Sequence, residues 1–276
     1  MLRIVLSLLI LSQGANARIR YDEHLLPEQS VYTNIDLRIG MFAEEIGHEF
    51  NIYADYEENV VRVLKDAFAY EIVARVVTFP SFEPESATVL QLKENEYKIL
   101  HFAPSIQLLH FEQLEIIRAK SGTDTHDREL IEYLEYLKGE GIEIPATREE
   151  VQVNRCELPI SEALGLKLAS LWSEMLFRTR YPSLPTVGAK TKPALLLNSG
   201  IDGTRYHFSY EYPGFTLAGN IWSPREASIT GRFVQISERM KQACLSEKNE
   251  LILAELEERT DELSGALTEL LQETKN

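Results

Sequence analysis

The stretch from Thr204 to Trp222 constrains this chain more than any other. Tyr206, Phe208, Tyr210 and Tyr212 alternate with Arg205, His207, Ser209 and Glu211, and Pro213-Gly214 follows before Phe215. Successive side chains of a strand point to opposite faces, so a period of two dictates one aromatic and one ionisable face. Pro-Gly suits a type II turn. A turn centred there pairs Tyr212 with Phe215, Tyr210 with Leu217, Phe208 with Gly219 and Tyr206 with Ile221. On the other face the same register sets Glu211 beside Thr216, Ser209 beside Ala218, His207 beside Asn220 and Arg205 beside Trp222. Arg205 over the Trp222 indole would be a cation–π pair, and Asn220 would orient the His207 imidazole.

A second hairpin is read in the same way. With Glu94-Asn95 as its turn, Leu92 faces Tyr97, Leu90 faces Ile99 and Thr88 faces His101, which makes His101 a hydrogen-bonded core residue. The Val-rich run Ile72–Phe79 suits a central strand, and Pro80 and Pro84 end it. Helical spacing marks 57–69, 129–138 and 233–244, and Ser161 caps a strongly periodic helix through Leu164, Leu168, Leu171, Trp172, Met175 and Leu176 that Tyr181-Pro182 terminates. Residues 106–118 read as one or two more strands, 122–127 as a polar turn, and 183–203 as a long loop. A weaker amphipathic segment spans 35–46. Helices alternating with antiparallel hairpins make an α+β fold.

The first 17 residues carry a basic start, an apolar run from Ile4 to Leu11 and the small-residue ending Ala15-Asn16-Ala17. These are the parts of a secretory signal peptide, and the apolar run is far short of the roughly 20 residues of a spanning helix. The chain is therefore expected to be exported, periplasmic or secreted, with residues 18–244 as the globular unit and a possible subdivision near 139–145. An oxidising compartment lets its only two cysteines, Cys156 and Cys244, form a disulfide. A formal charge of −15 in 276 residues repels nucleic acid and anionic membranes at long range, which removes both as main partners.

Residues 245–276 hold nine acidic and three basic groups. Leu256, Leu263 and Leu270 repeat every seven, with Leu253, Thr260, Leu267 and Thr274 at the companion positions. The seam allows a homodimer through 253–274, but the threonines and the crowded acids favour a helix that lies on its own domain.

The constellations able to carry chemistry are few. Arg178 and Arg180 close the long helix and, with Arg205, would hold a carboxylate or phosphate if the hairpin folds against that end. His207 with Ser209 invites an acid–base and nucleophile reading. Residues i and i+2 of one strand nevertheless lie about 7 Å apart, too far for a reliable side-chain hydrogen bond, and a solvated face is the simpler reading. Asp124, His126 and Asp127 read as a polar loop rather than as metal ligands. Glu83 and Glu85 are neighbours in sequence without the facing geometry of glycoside chemistry. His48-Glu49 begins a zinc-protease motif that no second histidine completes. Hydrolase-elbow, phosphate-loop and dinucleotide fingerprints do not occur, and neither a metal nor a cofactor is expected.

The run Cys156–Ile160, then Leu171-Trp172, Arg178–Pro182, Asp202-Gly203, Tyr206–Ser209, Trp222–Pro224 and the helix ending at Cys244 resembles a group of exported bacterial proteins. Residues 73–85 are similar to their earlier half. The resemblance covers roughly residues 60–244; it implies export and one continuous unit, and brings no catalytic assignment. The expectation is a non-catalytic binding or inhibitory module of the cell envelope that presents the 204–222 hairpin to a protein or small anionic ligand, using Arg178, Arg180, Arg205, His207, Asn220 and Trp222. The alternative is an enzyme acting on an envelope component, with His207, Ser209 and Arg205 at its centre.

Overall fold

A computed structural model describes residues 25–27, 52–69, 71–111, 114, 124–179 and 203–273. Its centre is one antiparallel sheet of seven strands: β1 (Leu26–Pro27), β2 (Ile72–Pro80), β3 (Ser86–Lys93), β4 (Glu96–Pro104), β5 (Val153–Ile160), β6 (Thr204–Tyr212) and β7 (Phe215–Trp222). They lie in the order β1-β7-β6-β2-β3-β4-β5. The helices are α1 (Ile52–Val63), α2 (Asp124–Gly139), α3 (Glu162–Phe177), α4 (Ile229–Leu245) and α5 (Asn249–Glu273), with a 3-10 turn at Lys65–Phe68. This is the α+β architecture that the sequence predicts.

Both hairpin registers hold. β3 and β4 pair Leu92 with Tyr97, Leu90 with Ile99 and Thr88 with His101, and Glu94 and Asn95 take φ of 53° and 67°, the positive values of a type I′ turn. β6 and β7 show all eight expected pairs, from Arg205–Trp222 to Tyr212–Phe215. Gly214 at φ 97° supplies the one positive φ that a type II turn requires.

The sheet is covered on both faces, so its inner strands are apolar on both sides. On one face α3, α4 and α5 bury Val76, Leu90, Ile99 and Phe208 with Trp172, Phe233 and Met240. Trp172 sits edge-on to Phe233 at 4.5 Å and to Phe208 at 6.1 Å. On the other face α1 and the 3-10 turn cover Val77, Phe79, Val89, Leu100 and Phe102. β2 lies between β6 and β3, the central position expected of its Val-rich run.

Ser161 caps α3 by accepting from Leu164 N at 3.2 Å. The helix ends at Phe177, before Tyr181-Pro182, because Arg178 N and Thr179 N turn back to Met175 O and Leu176 O. α4 begins a turn earlier than its apolar spacing predicts, at a second serine cap: Ser228 accepts from Gly231 N. Residues 108–111 and 114 are helical, which corrects the strands expected over 106–118. The cause is a buried acceptor, since the Glu85 carboxylate receives Leu108 N at 2.8 Å and Leu109 N at 3.3 Å and so caps a helical turn. α2 begins at Asp124, inside the expected polar turn. The loop 183–202, Tyr181-Pro182, the leader 1–17 and the segment 35–46 lie outside the described residues. The connection at 139–145 leads from α2 towards β5, which pairs with β4 along its whole length.

The Cys156 and Cys244 sulfurs are 2.07 Å apart, and this disulfide ties the edge strand β5 to the end of α4. α5 packs on its own chain: Leu256, Thr260, Leu263 and Leu267 are all buried against α3 and α4. Thr260 donates to Leu256 O at 2.7 Å, so a threonine in the seam costs no unsatisfied hydroxyl. Lys167 reaches Glu257 and Asp261 at 2.8 and 2.7 Å across the same interface.

His101 is buried on the helical face, 2.9 Å from Thr88 Oγ1, as expected of a core histidine. Burial, with Lys241 nearby, pushes its pKa from 6.5 to about 4. The unfolded chain then binds the proton more tightly than the folded one. His101 therefore contributes fully above pH 6.5, and that contribution is lost as pH falls towards about 4. His101→Gln is expected to flatten the acid limb of stability, read as a smaller change in urea midpoint between about pH 7 and about pH 5 than the wild type shows.

Candidate functional site

The period of two gathers Arg205, His207, Ser209 and Glu211 on one face of β6, and the sheet brings β2 alongside so that Phe79 pairs with Arg205, Val77 with His207 and Arg75 with Ser209. α1 lies over this face. Arg205 donates to the Glu57 carboxylate of α1, and its guanidinium stacks on Phe79 at 5.1 Å. The ring beneath Arg205 is thus its cross-strand neighbour on β2, not the Trp222 indole expected from β7. His207 packs against the same Phe79 ring at 5.1 Å, and Tyr56 meets it edge-on at 5.9 Å. Arg75 donates to Ala67 O at 3.1 Å and to Glu211 at 3.4 Å, and lies over Phe68 at 4.1 Å. The face expected to be solvated is instead partly covered by α1 and the 3-10 turn.

Ser209 shows what this covering does to a nucleophile reading. Its Oγ is buried and has no hydrogen-bond partner among the described residues. Its strand neighbours on this face, His207 and Glu211, lie one pleat away on either side. His207 is register partner to Asn220, and Trp222 is half-buried at the far end of β7.

Beneath α1 lies the most buried acid of the described chain. Glu85 is 0% exposed; Tyr56 donates its hydroxyl to it, as do Leu108 N and Leu109 N. One carboxylate therefore ties α1, the β2–β3 connection and the turn at 108–111. Burial raises its pKa above the ordinary carboxylate range, against the lowering effect of Tyr56 and the Leu108 amide. Burial and the adjacent carboxylate push the Tyr56 phenol well up, so it stays a donor. Glu83 is exposed, so the two acids do not share a site.

Because folded Glu85 holds a proton more tightly than the unfolded chain, its contribution is fully present below the ordinary carboxylate pKa. That contribution declines as pH rises through the raised one. Glu85→Gln keeps an acceptor and a side chain of the same shape while removing this titration. The variant is expected to lose about 1–2 kcal/mol through its weakened hydrogen bonds and to show a shallower fall in stability as pH rises, measured by denaturant melts.

The cationic residues do not converge. Arg178 bonds Glu174 at 2.9 Å and Leu267 O at 2.8 Å, on the helical side of the sheet. Arg205 lies on the opposite side with Glu57. Arg180 is outside the described residues. The helix dipole and the α5 carbonyl account for the position of Arg178. Asp124, His126 and Asp127 fall in the first turn of α2, and their side chains are also outside the described set; among the described residues no three His, Cys, Asp or Glu side chains gather as metal ligands.

At the other end of the hairpin the aromatic face leaves the core. Tyr212 stacks on Phe215 at 4.9 Å and 13°, Tyr210 sits 4.8 Å from Tyr212, and Phe177 of α3 meets Tyr212 at 5.9 Å. Ser173 Oγ and Tyr212 OH are 2.6 Å apart, which fixes the central ring. Phe215 is 52% and Phe177 63% exposed. Sequence reasoning reached Tyr212 and Phe215 as a register pair. It missed Phe177 at this surface, Tyr56 and Glu57 on α1, and the burial of Glu85 beneath that helix, because each meets its partner only through tertiary packing.

Comparison with protein-family models, with curated proteins and with solved structures gives no match. Among the described residues no helix is long and apolar enough to cross a membrane.

Proposed function

We propose that this chain is an exported, non-catalytic binding or inhibitory module of the cell envelope, similar to the group of bacterial proteins that its sequence resembles, and that it contacts its partner through the tip of the β6–β7 hairpin. The observation that carries this reading is the aromatic cluster in which exposed Phe177 and Phe215 rest on half-buried Tyr212, itself against Tyr210. A contiguous aromatic surface held in place by packing supplies large contact area at low ordering cost, which is what protein-contact surfaces favour. Export is supported by the leader-like first 17 residues and by the cysteine pair, which needs an oxidising compartment to persist.

The polar face of the hairpin has a different role in this reading. Arg205, His207 and Arg75 hold α1 and the 3-10 turn against the sheet, which positions the hairpin and leaves its tip free. The enzyme alternative, with His207 as acid or base and an arginine to hold an anion, has less to draw on: α1 partly covers the face of His207, Ser209 and Arg205, Arg205 is paired with Glu57, and Arg178 lies on the other side of the sheet. A photo-crosslinking residue in place of Phe215 tests the proposal directly. It is expected to capture a discrete envelope protein, and the capture should disappear with the added change Phe177→Ala. Equal capture from a crosslinker at Asn95, in the turn of the other hairpin, would overturn it.

A further inference from the structure

The end of the β6–β7 hairpin away from its tip borders a cavity of about 530 Å³ between the sheet and α4. That volume is within the range of small-molecule sites, roughly 300–1,000 Å³. Arg239 of α4 and Arg259 of α5 both line it, as do Glu226 and Glu238. The two guanidinium groups share the Glu255 carboxylate at 3.0 and 2.9 Å. Arg239 also donates to Gln242 at 2.7 Å, and Arg259 to Gln235 at 3.1 Å. Both heads are thus fixed in advance, and Arg239 keeps donors to spare from the five of a guanidinium.

The rest of the cavity is equally specified. Tyr206 and Val234 contribute ring and aliphatic surface. Burial, with the Glu238 charge beside it, pushes the Tyr206 phenol to about 12, so it remains a donor at neutral pH. The backbone is held in unusual shapes around the rim. Ser223 takes φ 35°, a left-handed conformation that non-glycine residues keep where surrounding structure enforces it, often at ligand clamps. Gly231 lies so near the Arg225 carbonyl that a Cβ there would be 1.9 Å from its oxygen, so only glycine lets this wall close.

We propose that this cavity binds a small zwitterion, an amino acid or a short peptide, with its carboxylate at Arg239 and Arg259 and its ammonium at Glu226 and Glu238. With the Glu255 carboxylate that the arginines share and the Lys241 ammonium 3.8 Å from Glu238, three cations stand against three carboxylates at the cavity, and the chain carries −15 overall. A simple anion would enter against that field, and a simple cation would meet the arginines. A ligand that carries one charge of each sign meets opposite charges in both sets, with Glu255 and Lys241 as the partners it competes with. The site is independent of the hairpin tip, and either can fail without the other.

The test uses the full chain with four probes: the dipeptide Ala-Ala, its N-acetyl form, its C-terminal amide and inorganic phosphate, followed by calorimetry and by chemical shifts of Tyr206 and Val234. Ala-Ala is expected to bind and to move both residues, with each blocked form at least about tenfold weaker and phosphate weaker still. Arg239→Gln should weaken Ala-Ala about tenfold. Should that variant melt early, Glu226→Gln, at the exposed rim, is expected to weaken the dipeptide while the N-acetyl form is unaffected. No shift at about 10 mM dipeptide, equal binding of a blocked form, or tighter binding of phosphate would each overturn the proposal.

Discussion

Leu263→Asp is expected to destabilise the folded chain by about 4–5 kcal/mol. Leu263 is 0% exposed, and Leu256 and Leu267, one turn or two away on the same helix face, are 0% and 1% exposed. The substitution removes a filled core volume and leaves a carboxylate without a partner in the seam between α5 and the α3–α4 pair. The urea midpoint should fall sharply, and light scattering on the wild type and on the remaining folded variant should give the same mass. A dimer that becomes a folded monomer would instead mean that the seam pairs two copies.

Removing the disulfide is expected to cost about 4 kcal/mol, since it closes a long loop. Cys156 and Cys244 are 88 positions apart. The bridge also fastens β5, which among the described residues has a neighbouring strand on one side only, so its loss should free that edge first. The double change Cys156→Ser with Cys244→Ser should lower the urea midpoint, with hydrogen exchange rising in β5 before β4. Oxidised protein should be about 2 Da lighter than reduced, the mass of two hydrogens. Complete alkylation of both thiols in denatured, unreduced protein would contradict the bridge.

The expected and observed structures agree where the determinants are local. A period of two plus a turn residue fixed both registers, because a slip of one residue would have turned every aromatic of β6 to the wrong face. Ser161 marked the start of α3 by the hydrogen bond it makes. The companion threonines of α5 pointed to packing on its own chain, and Thr260 is indeed satisfied within its own helix. β5 was not legible as a strand: Val153–Ile160 mixes charged residues with Pro159, as suits an edge, and lacks clean alternation.

The site was less legible than the fold. The sequence placed Arg205, His207 and Ser209 on one face correctly, but the face is covered by α1, which comes from more than 140 positions earlier, as the Arg205–Glu57 bond shows with its separation of 148. Arg178 and Arg205 could be imagined together because nothing local assigns them to opposite sides of the sheet. Glu85 stood out in sequence only as the neighbour of Glu83, a carboxylate pair without the facing geometry of glycoside chemistry. Its burial follows from the approach of Tyr56 and of the turn at 108–111, neither of which leaves a mark in the sequence around Pro84.

A comparison of two variants on one partner tests the central claim, that the polar face of the hairpin holds the fold while its aromatic tip makes the contact. With the protein captured by the Phe215 crosslinker as ligand, Tyr212→Ala with Phe215→Ala is expected to weaken binding by at least about 2 kcal/mol, roughly thirtyfold, with nearly unchanged melting. Arg205→Ala should lower the melting temperature, through loss of the Glu57 pair and of packing on Phe79, and bind as the wild type does while folded. Wild-type affinity in the tip variant, together with lost binding in a normally melting Arg205→Ala protein, would contradict the account.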